Sequence, residues 1–210
     1  MGTMRSAHVL AGIGSAGLLA ASLVMGGPAS AATVNGTGGG DHLRGTAASD
    51  TIRGFKGHDR VWALAGADLI GVGSGFDRVS AGRGDDTIRG GTQRDRLDGG
   101  KGADTITGGA GHDAIVGSAG SDVIFGGVGV DYISDGPGAD TIYGGLGNDF
   151  VYLTKDGTPD TVTCGPGQDV VYGATPGENT IAADCEGIKV MWPHDRGLPA
   201  SQDRTARPIR

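Results

Sequence analysis

Residues 99–116 read Gly99-Gly100-Lys101-Gly102-Ala103-Asp104-Thr105-Ile106-Thr107 and then Gly108-Gly109-Ala110-Gly111-His112-Asp113-Ala114-Ile115-Val116. The two nonapeptides share one pattern, G-G-x-G-x-D-x-U-x, with U a large aliphatic residue. Working outward in both directions, aspartate stands at every ninth position: Asp41, Asp50, Asp59, Asp68, Asp77, Asp86, Asp95, Asp104, Asp113, Asp122, Asp131, Asp140 and Asp149. Two residues after each comes an aliphatic, from Leu43 and Ile52 through Ile106, Ile115 and Ile124 to Val151. Two residues before each comes glycine, with Ala48 and Gln93 the exceptions. Further clean copies begin at Gly126-Gly127 and Gly144-Gly145. After Tyr152 the frame slips by two residues to Asp160 with Val162, resumes at Asp169 with Val171, and fades at Asn179 with Ile181. Self-similarity at a fixed short period is the mark of a stacked repeat architecture.

The composition is the consequence of this period. Of 210 residues 44 are glycine and only 5% are aromatic, too few to fill a conventional core. Glycine and proline together come close to the level that signals disorder, and a strict period is what overrides that reading. The carboxylates are 22 Asp against Glu178 and Glu186. A solvated acidic surface would mix the two types; near-exclusive Asp points to a short carboxylate that geometry requires, as in turns and metal loops. An ordinary globular enzyme is not expected on these grounds.

The iterated nonapeptide resembles the repeats-in-toxin (RTX) calcium-binding repeat over residues 36–172. The resemblance implies an all-β fold, a parallel β-roll (β-solenoid) in which each six-residue turn binds Ca²⁺ and each x-U-x forms a short strand. Elementary physics agrees. One nonapeptide has a single aliphatic to bury and cannot be stable alone, so only stacked copies make a continuous core. Two nonapeptides make an 18-residue coil with a strand on either side, and each turn meets the turn 18 residues on. One edge then carries Asp41, Asp59, Asp77, Asp95, Asp113, Asp131 and Asp149, and the other Asp50, Asp68, Asp86, Asp104, Asp122 and Asp140. Carboxylates stacked ~5 Å apart repel unless a cation lies between them, which joins binding to folding.

The repeats are unequal. From Gly36 to Asp98 nine basic residues balance nine Asp, whereas from Gly99 to Tyr152 only Lys101 opposes seven Asp. In the first half Gln93, Ala63-Leu64 and Val72 displace turn glycines. The best cation pairs are therefore Asp104 with Asp122, Asp113 with Asp131, Asp122 with Asp140 and Asp131 with Asp149. Asp86, Asp77 and Asp59 are further candidates, and turn carbonyls such as those of Gly99, Gly108, Gly126 and Gly144 complete the ligand set. Without calcium, disorder is expected in the acidic half and less of it in the charge-balanced half. Arg44, Arg53, Arg60, Arg78, Arg89 and Arg96 flank U positions and should point outward, neutralising nearby Asp or forming a stripe for anionic polymers.

Residues 1–31 read as a secretory signal peptide: Arg5, an apolar run from Val9 to Met25, and the small-x-small site Ala29-Ser30-Ala31. The G-x-G-x-x-G match at Gly12–Gly17 falls inside it and follows no strand, so it is chance. Export permits Cys164 and Cys185 to form a disulfide, with free thiols or a zinc half-site as alternatives. Residues 153–186 read as degenerate repeats and a disulfide-closed cap that resembles the closing segment of secreted bacterial calcium-repeat proteins. Residues 187–210, with Trp192 and four arginines, read as a disordered basic tail.

The expected protein is a secreted, monomeric Ca²⁺-binding β-roll of structural or scaffold type, without a membrane span or a nucleic-acid partner. A calcium-dependent adhesin, or a module for anionic extracellular or cell-wall polysaccharide, is the alternative. The enzymatic alternative, a β-helix polysaccharide lyase or epimerase, lacks support: nine-residue spacing leaves no loops to shape a cleft, and no catalytic motif is present.

Overall fold

The structure, a computed structural model, describes residues 8–9, 30–175 and 177–189. The remainder of the leader, Trp192 and the arginines of the tail lie outside the described residues. The chain winds back and forth between two parallel sheets, one of ten strands and one of nine. It opens with β1 (His8–Val9), inside the segment read as a leader, then β2 (Thr33–Asn35), β3 (His42–Arg44) and β4 (Thr51–Arg53). Six-residue strands follow: β5 (Arg60–Ala65), β6 (Leu69–Ser74), β7 (Arg78–Arg83), β8 (Thr87–Thr92), β9 (Arg96–Lys101), β10 (Thr105–Ala110), β11 (Ala114–Ala119) and β12 (Val123–Val128). Then come β13 (Tyr132–Ser134), β14 (Thr141–Leu146), β15 (Phe150–Tyr152), β16 (Thr161–Thr163), β17 (Val170–Tyr172), β18 (Thr180–Ile181) and β19 (Gly187–Lys189). From β2 to β18 even strands pair in one sheet and, from β3 to β19, odd strands in the other, the all-β parallel solenoid expected from the repeat.

The register explains the core. Ile88, Ile106, Ile124 and Ile142 lie opposite one another along one sheet. Leu97, Ile115, Ile133 and Val151 do the same in the other. Each is buried, so the aliphatic of every nonapeptide packs between the sheets in one continuous cluster. The flanking arginines Arg44, Arg53, Arg60, Arg78, Arg89 and Arg96 are all exposed, because side chains alternate across a strand.

Two features differ from the expected arrangement. The x-U-x triplet is too short an account of the strand, since β5 to β12 and β14 continue through the next residues, a glycine pair in β8, β9, β10, β12 and β14, as in Gly91↔Gly109↔Gly127. Gly109 has φ 112° there, and a Cβ on it would collide with the Gly91 carbonyl, so the coils stack closely because no side chain intervenes. Three of the residues that replace the second glycine, Phe55, Leu64 and Ser118, keep a positive φ of 77°, 86° and 76°, whereas Thr37 and Thr46 of the first two turns do not. Stacking thus imposes the bend even where L side chains resist it by about 1–2 kcal/mol.

The second difference concerns the end of the fold. Residues 187–189, expected to belong to the disordered tail, are instead a strand: Gly187–Lys189 pairs with Val170–Tyr172 and sets Ile188 opposite Val171, while 190–210 lie outside the described residues. The cap is closed by the Cys164–Cys185 disulfide, both cysteines buried and their Cα atoms 5.2 Å apart. A bridge over such a loop contributes about 3 kcal/mol in the chain-entropy model. The two-residue slip does not disturb the sheets, since Ile142 still faces Val162 and the extra residues bulge into the turn after Leu153.

One prediction tests the core. Ile124→Ala should lower stability by about 2–5 kcal/mol in urea denaturation with calcium present, because the void lies between two sheets that cannot collapse locally. Exposed Thr105→Ala on the neighbouring strand should change it by less than about 1 kcal/mol.

Candidate metal centre

Each edge of the roll carries a column of aspartates joined by one repeated hydrogen bond. The backbone amide of Asp104 donates to Oδ1 of Asp122 (2.8 Å), that of Asp113 to Asp131 (2.8 Å), that of Asp122 to Asp140 (2.7 Å) and that of Asp131 to Asp149 (2.9 Å). The same bond links Asp41 to Asp59, Asp59 to Asp77, Asp68 to Asp86 and Asp77 to Asp95. The 18-residue pairs expected from the repeat are therefore brought together. The columns run on past the slip, with Asp140 donating to Asp160 and Asp149 to Asp169.

From Asp59 onward these carboxylates are buried, and only one oxygen of each is occupied. Oδ2 of Asp59, Asp68, Asp77, Asp86, Asp95, Asp104, Asp113, Asp122, Asp131, Asp140, Asp149, Asp160 and Asp169 has no hydrogen-bond partner. A carboxylate oxygen out of water without a partner is costly. The space in front of it is kept open by glycine. A Cβ built on Gly108 would lie 2.6 Å from Asp113 Oδ2 and 2.5 Å from the Gly126 carbonyl oxygen. On Gly90 it would lie 2.7 Å from Asp95 Oδ2 and 2.5 Å from the Gly108 carbonyl. Gly126 likewise faces Asp131 Oδ2 and the Gly144 carbonyl, and Gly99 faces Asp104 Oδ2 and the Gly117 carbonyl. Each cradle thus offers a carboxylate oxygen and a carbonyl oxygen of the next coil, the all-oxygen donor set that a hard cation such as Ca²⁺ takes.

The cradles are not identical. The residue five before the Asp is glycine for Asp59, Asp95, Asp104, Asp113, Asp122, Asp131 and Asp149. It is Ala63 for Asp68, Val72 for Asp77 and Ala81 for Asp86, each fully buried. Asp77 and Asp86 keep their rungs in the ladder but have side chains where the cradle would open.

The sequence places Asn179 where one column fades, but Glu186, which ends the other, is not read from it. Asn179 Oδ1 accepts from the Asp160 amide (3.2 Å) and Glu186 Oε2 from the Asp169 amide (3.0 Å). Glu186-Gly187-Ile188 keeps the acid-x-aliphatic spacing, a signal hidden by the longer carboxylate and the broken step of nine. Sequence reasoning also passed over Asp135, which takes the glycine position of the Asp140 turn and is fully buried. His58 and His112 have structural partners: Nδ1 of each accepts the amide of the next coil, from Phe76 (2.9 Å) and Val130 (2.7 Å).

Burial raises these carboxyls above their ordinary value of 3.8. Asp59, Asp68, Asp86 and Asp149 are pushed up to about 6. Asp104, Asp131 and Asp140 reach about 7, and Asp95 about 8. The amide bond from the preceding coil opposes the rise, and neighbouring carboxylates add to it at Asp95, Asp104, Asp131 and Asp140. The sign for stability follows. A raised carboxyl favours the folded chain while protonated, so that contribution is complete below about 4 and is lost as pH climbs through about 6–8. In chelator, thermal melts followed by circular dichroism should therefore show a lower midpoint at pH 8 than at pH 5. Saturating calcium should cancel or reverse the difference, because the cation binds the deprotonated form. A chelated midpoint that rises with pH would contradict this.

Comparison with known families agrees with the geometry. The model of the RTX calcium-binding nonapeptide repeat, in four copies, matches residues 35–70, 72–106, 89–124, 98–133 and 125–155. No curated protein matches the chain. With more than half its length matched, and with the repeat's aspartates buried in register along both edges, the chain belongs to the RTX calcium-binding nonapeptide repeat family.

Proposed function

We propose that this is an exported Ca²⁺-binding β-roll whose folding is coupled to cation uptake and whose role is structural, as a scaffold outside the cell. The observation that carries the reading is the double column of buried aspartates, each from Asp59 onward with one oxygen unpartnered. The glycine-fronted cradles of Asp59, Asp95, Asp104, Asp113, Asp122, Asp131 and Asp149 are the principal sites on this reading, and those of Asp77 and Asp86 are weak. The leader-like segment 1–31 and the Cys164–Cys185 disulfide support an oxidising compartment, where calcium is abundant enough for modest sites to fill. We assign no catalytic role: His58 and His112 accept amides of the next coil and so bridge coils.

Calcium titration of the chelated chain, followed by circular dichroism and calorimetry, tests the reading. The β signal should be reduced in EDTA, return cooperatively with Ca²⁺, and saturate at several ions per chain. A β signal indifferent to chelation, with no heat of binding, overturns it.

A second reading has its own observation. Arg60, Arg78 and Arg96 face one another in register on β5, β7 and β9, all exposed. Among the described residues none of the three has a carboxylate partner. Like charges directly opposite in a sheet are destabilising, and a polyanion laid along the column would relieve them. The trio Arg44, Arg53 and Arg60 does not form such a stripe, since Arg53 lies in the other sheet and Arg44 faces Trp62. Replacing Arg60, Arg78 and Arg96 together by Gln should lower the salt needed to elute the calcium-loaded protein from an immobilised sulfated or uronic-acid polysaccharide. Unchanged elution removes this reading and leaves the first intact.

A further inference from the structure

The turn that ends at Asp140 breaks the rule that keeps the cradles open. Its neighbours have Gly117, Gly126 and Gly144 five residues before the ladder aspartate, but here the residue is Asp135. A Cβ at the glycine position projects toward the ladder carboxylate, so Asp135 sends a second carboxylate into the space that other turns leave open. Asp135, Asp140 and Asp160 each place a carboxylate oxygen within 4.8 Å of the others. All three are buried, at 0%, 2% and 1% exposure. Two independent facts mark the space between them as a ligand's. Oδ2 of Asp140 and Oδ2 of Asp160 have no hydrogen-bond partner. No Lys, Arg or His of the described residues forms an ion pair with any of the three.

The two-residue slip belongs to the same arrangement. Asp140 donates its amide to Asp160 Oδ1 across 20 residues instead of 18 (3.1 Å). The enlarged turn that follows Leu153 brings the Thr154 amide onto Asp135, 2.9 Å from Oδ1 and 3.0 Å from Oδ2. The Gly136 amide also donates to Oδ1. Amides thus fix Asp135 from behind, while its own carbonyl faces the cradle of Asp122, where a Cβ on Gly117 would meet it. We infer that Asp135, Asp140 and Asp160 form a three-carboxylate site for a hard cation, distinct from the glycine-fronted cradles and filled before them. Three buried carboxylates concentrate more negative charge than one ladder pair, and cation affinity in all-oxygen sites rises with that charge and with rigidity. A trivalent lanthanide would favour this site even more strongly.

The inference rests on the reading that the roll takes up cations, and the experiment separates the two. Calorimetric titration of the chelated full-length, oxidised chain with Ca²⁺ alone, and separately with Tb³⁺ alone, should show one equivalent per chain filling ahead of the rest. In Asp135→Asn, which keeps an acceptor for the Thr154 and Gly136 amides but loses the charge, that leading equivalent should weaken about tenfold or more. The later equivalents should be unchanged. Asp135→Gly, which restores the repeat pattern, should lose the leading phase in the same way and serves if the Asn variant fails to fold. A leading phase identical in the variants, or none in a wild type that otherwise binds, overturns the three-carboxylate site alone. A wild type that binds neither ion overturns the calcium reading with it.

Discussion

The amide of one aspartate donating to the carboxylate of the aspartate 18 residues later is the bond on which this roll depends. It is an unusual support, because repeating it along an edge stacks one acidic group on the next. Each bond satisfies a backbone donor that a tight turn would otherwise leave bare, and a charge-assisted bond of this kind is stronger than a neutral one. Each also buries a second oxygen with nothing to accept from, in thirteen turns of the described residues. The bond that fixes the register is therefore also the source of the charge that opposes it. A proton or a cation at the free oxygen resolves the conflict, since no described group donates to it.

Glycine and the single aliphatic per repeat acquire their places from that bond. For Asp113 to sit beside Asp131 the coils must approach until a Cβ on Gly127 would strike the Gly109 carbonyl, so the glycine pairs of these turns stay free of side chains. The core left between such closely stacked sheets is thin, built mainly of one Ile, Leu or Val per nonapeptide, and among the described residues it contains no aromatic residue. Burial of this kind scales with the number of coils, as stability does in other stacked repeats. Aromatic rings are instead paired on the outer faces, Phe125 on Tyr143 and Tyr132 on Phe150, where they stack at centroid distances of 4.9 and 5.0 Å.

The step of nine made most of this legible in the sequence. It identifies the inward aliphatics, the outward arginines, both aspartate columns and their 18-residue partners, because a strict period leaves only one way to stack. What it hides are the features that depend on a break in the period or on register between distant coils. Glu186 closes a column only because the cap shortens the step from Asp169, which no spacing rule anticipates. Asp135 looks like one more acidic residue until the turn geometry shows that a side chain there points at its own ladder. The arginine column of Arg60, Arg78 and Arg96 is written at 18-residue spacing, yet Arg53 and Arg44 read as equally good members until the structure puts Arg53 in the other sheet and Arg44 opposite Trp62.

The uneven charge of the two halves then finds a structural counterpart. In three successive turns of the first half the cradle position is Ala63, Val72 or Ala81, and all three join the apolar cluster. These side chains add buried apolar surface where the acidic half has glycine, and the associated burial is favourable whether or not a cation is present. The acidic half, with Gly99, Gly108, Gly117, Gly126 and Gly144, gives up that surface and keeps the space in front of its carboxylates. On our reading the first half is held mainly by its core and the second mainly by its ions. An exported chain would then have a part able to order early, against which the coils of the acidic half can stack one by one as calcium becomes available. In a solenoid each coil contacts only its neighbours, so such a seed lowers the cost of the first turn of the ion-dependent part without any contact beyond the interface they share.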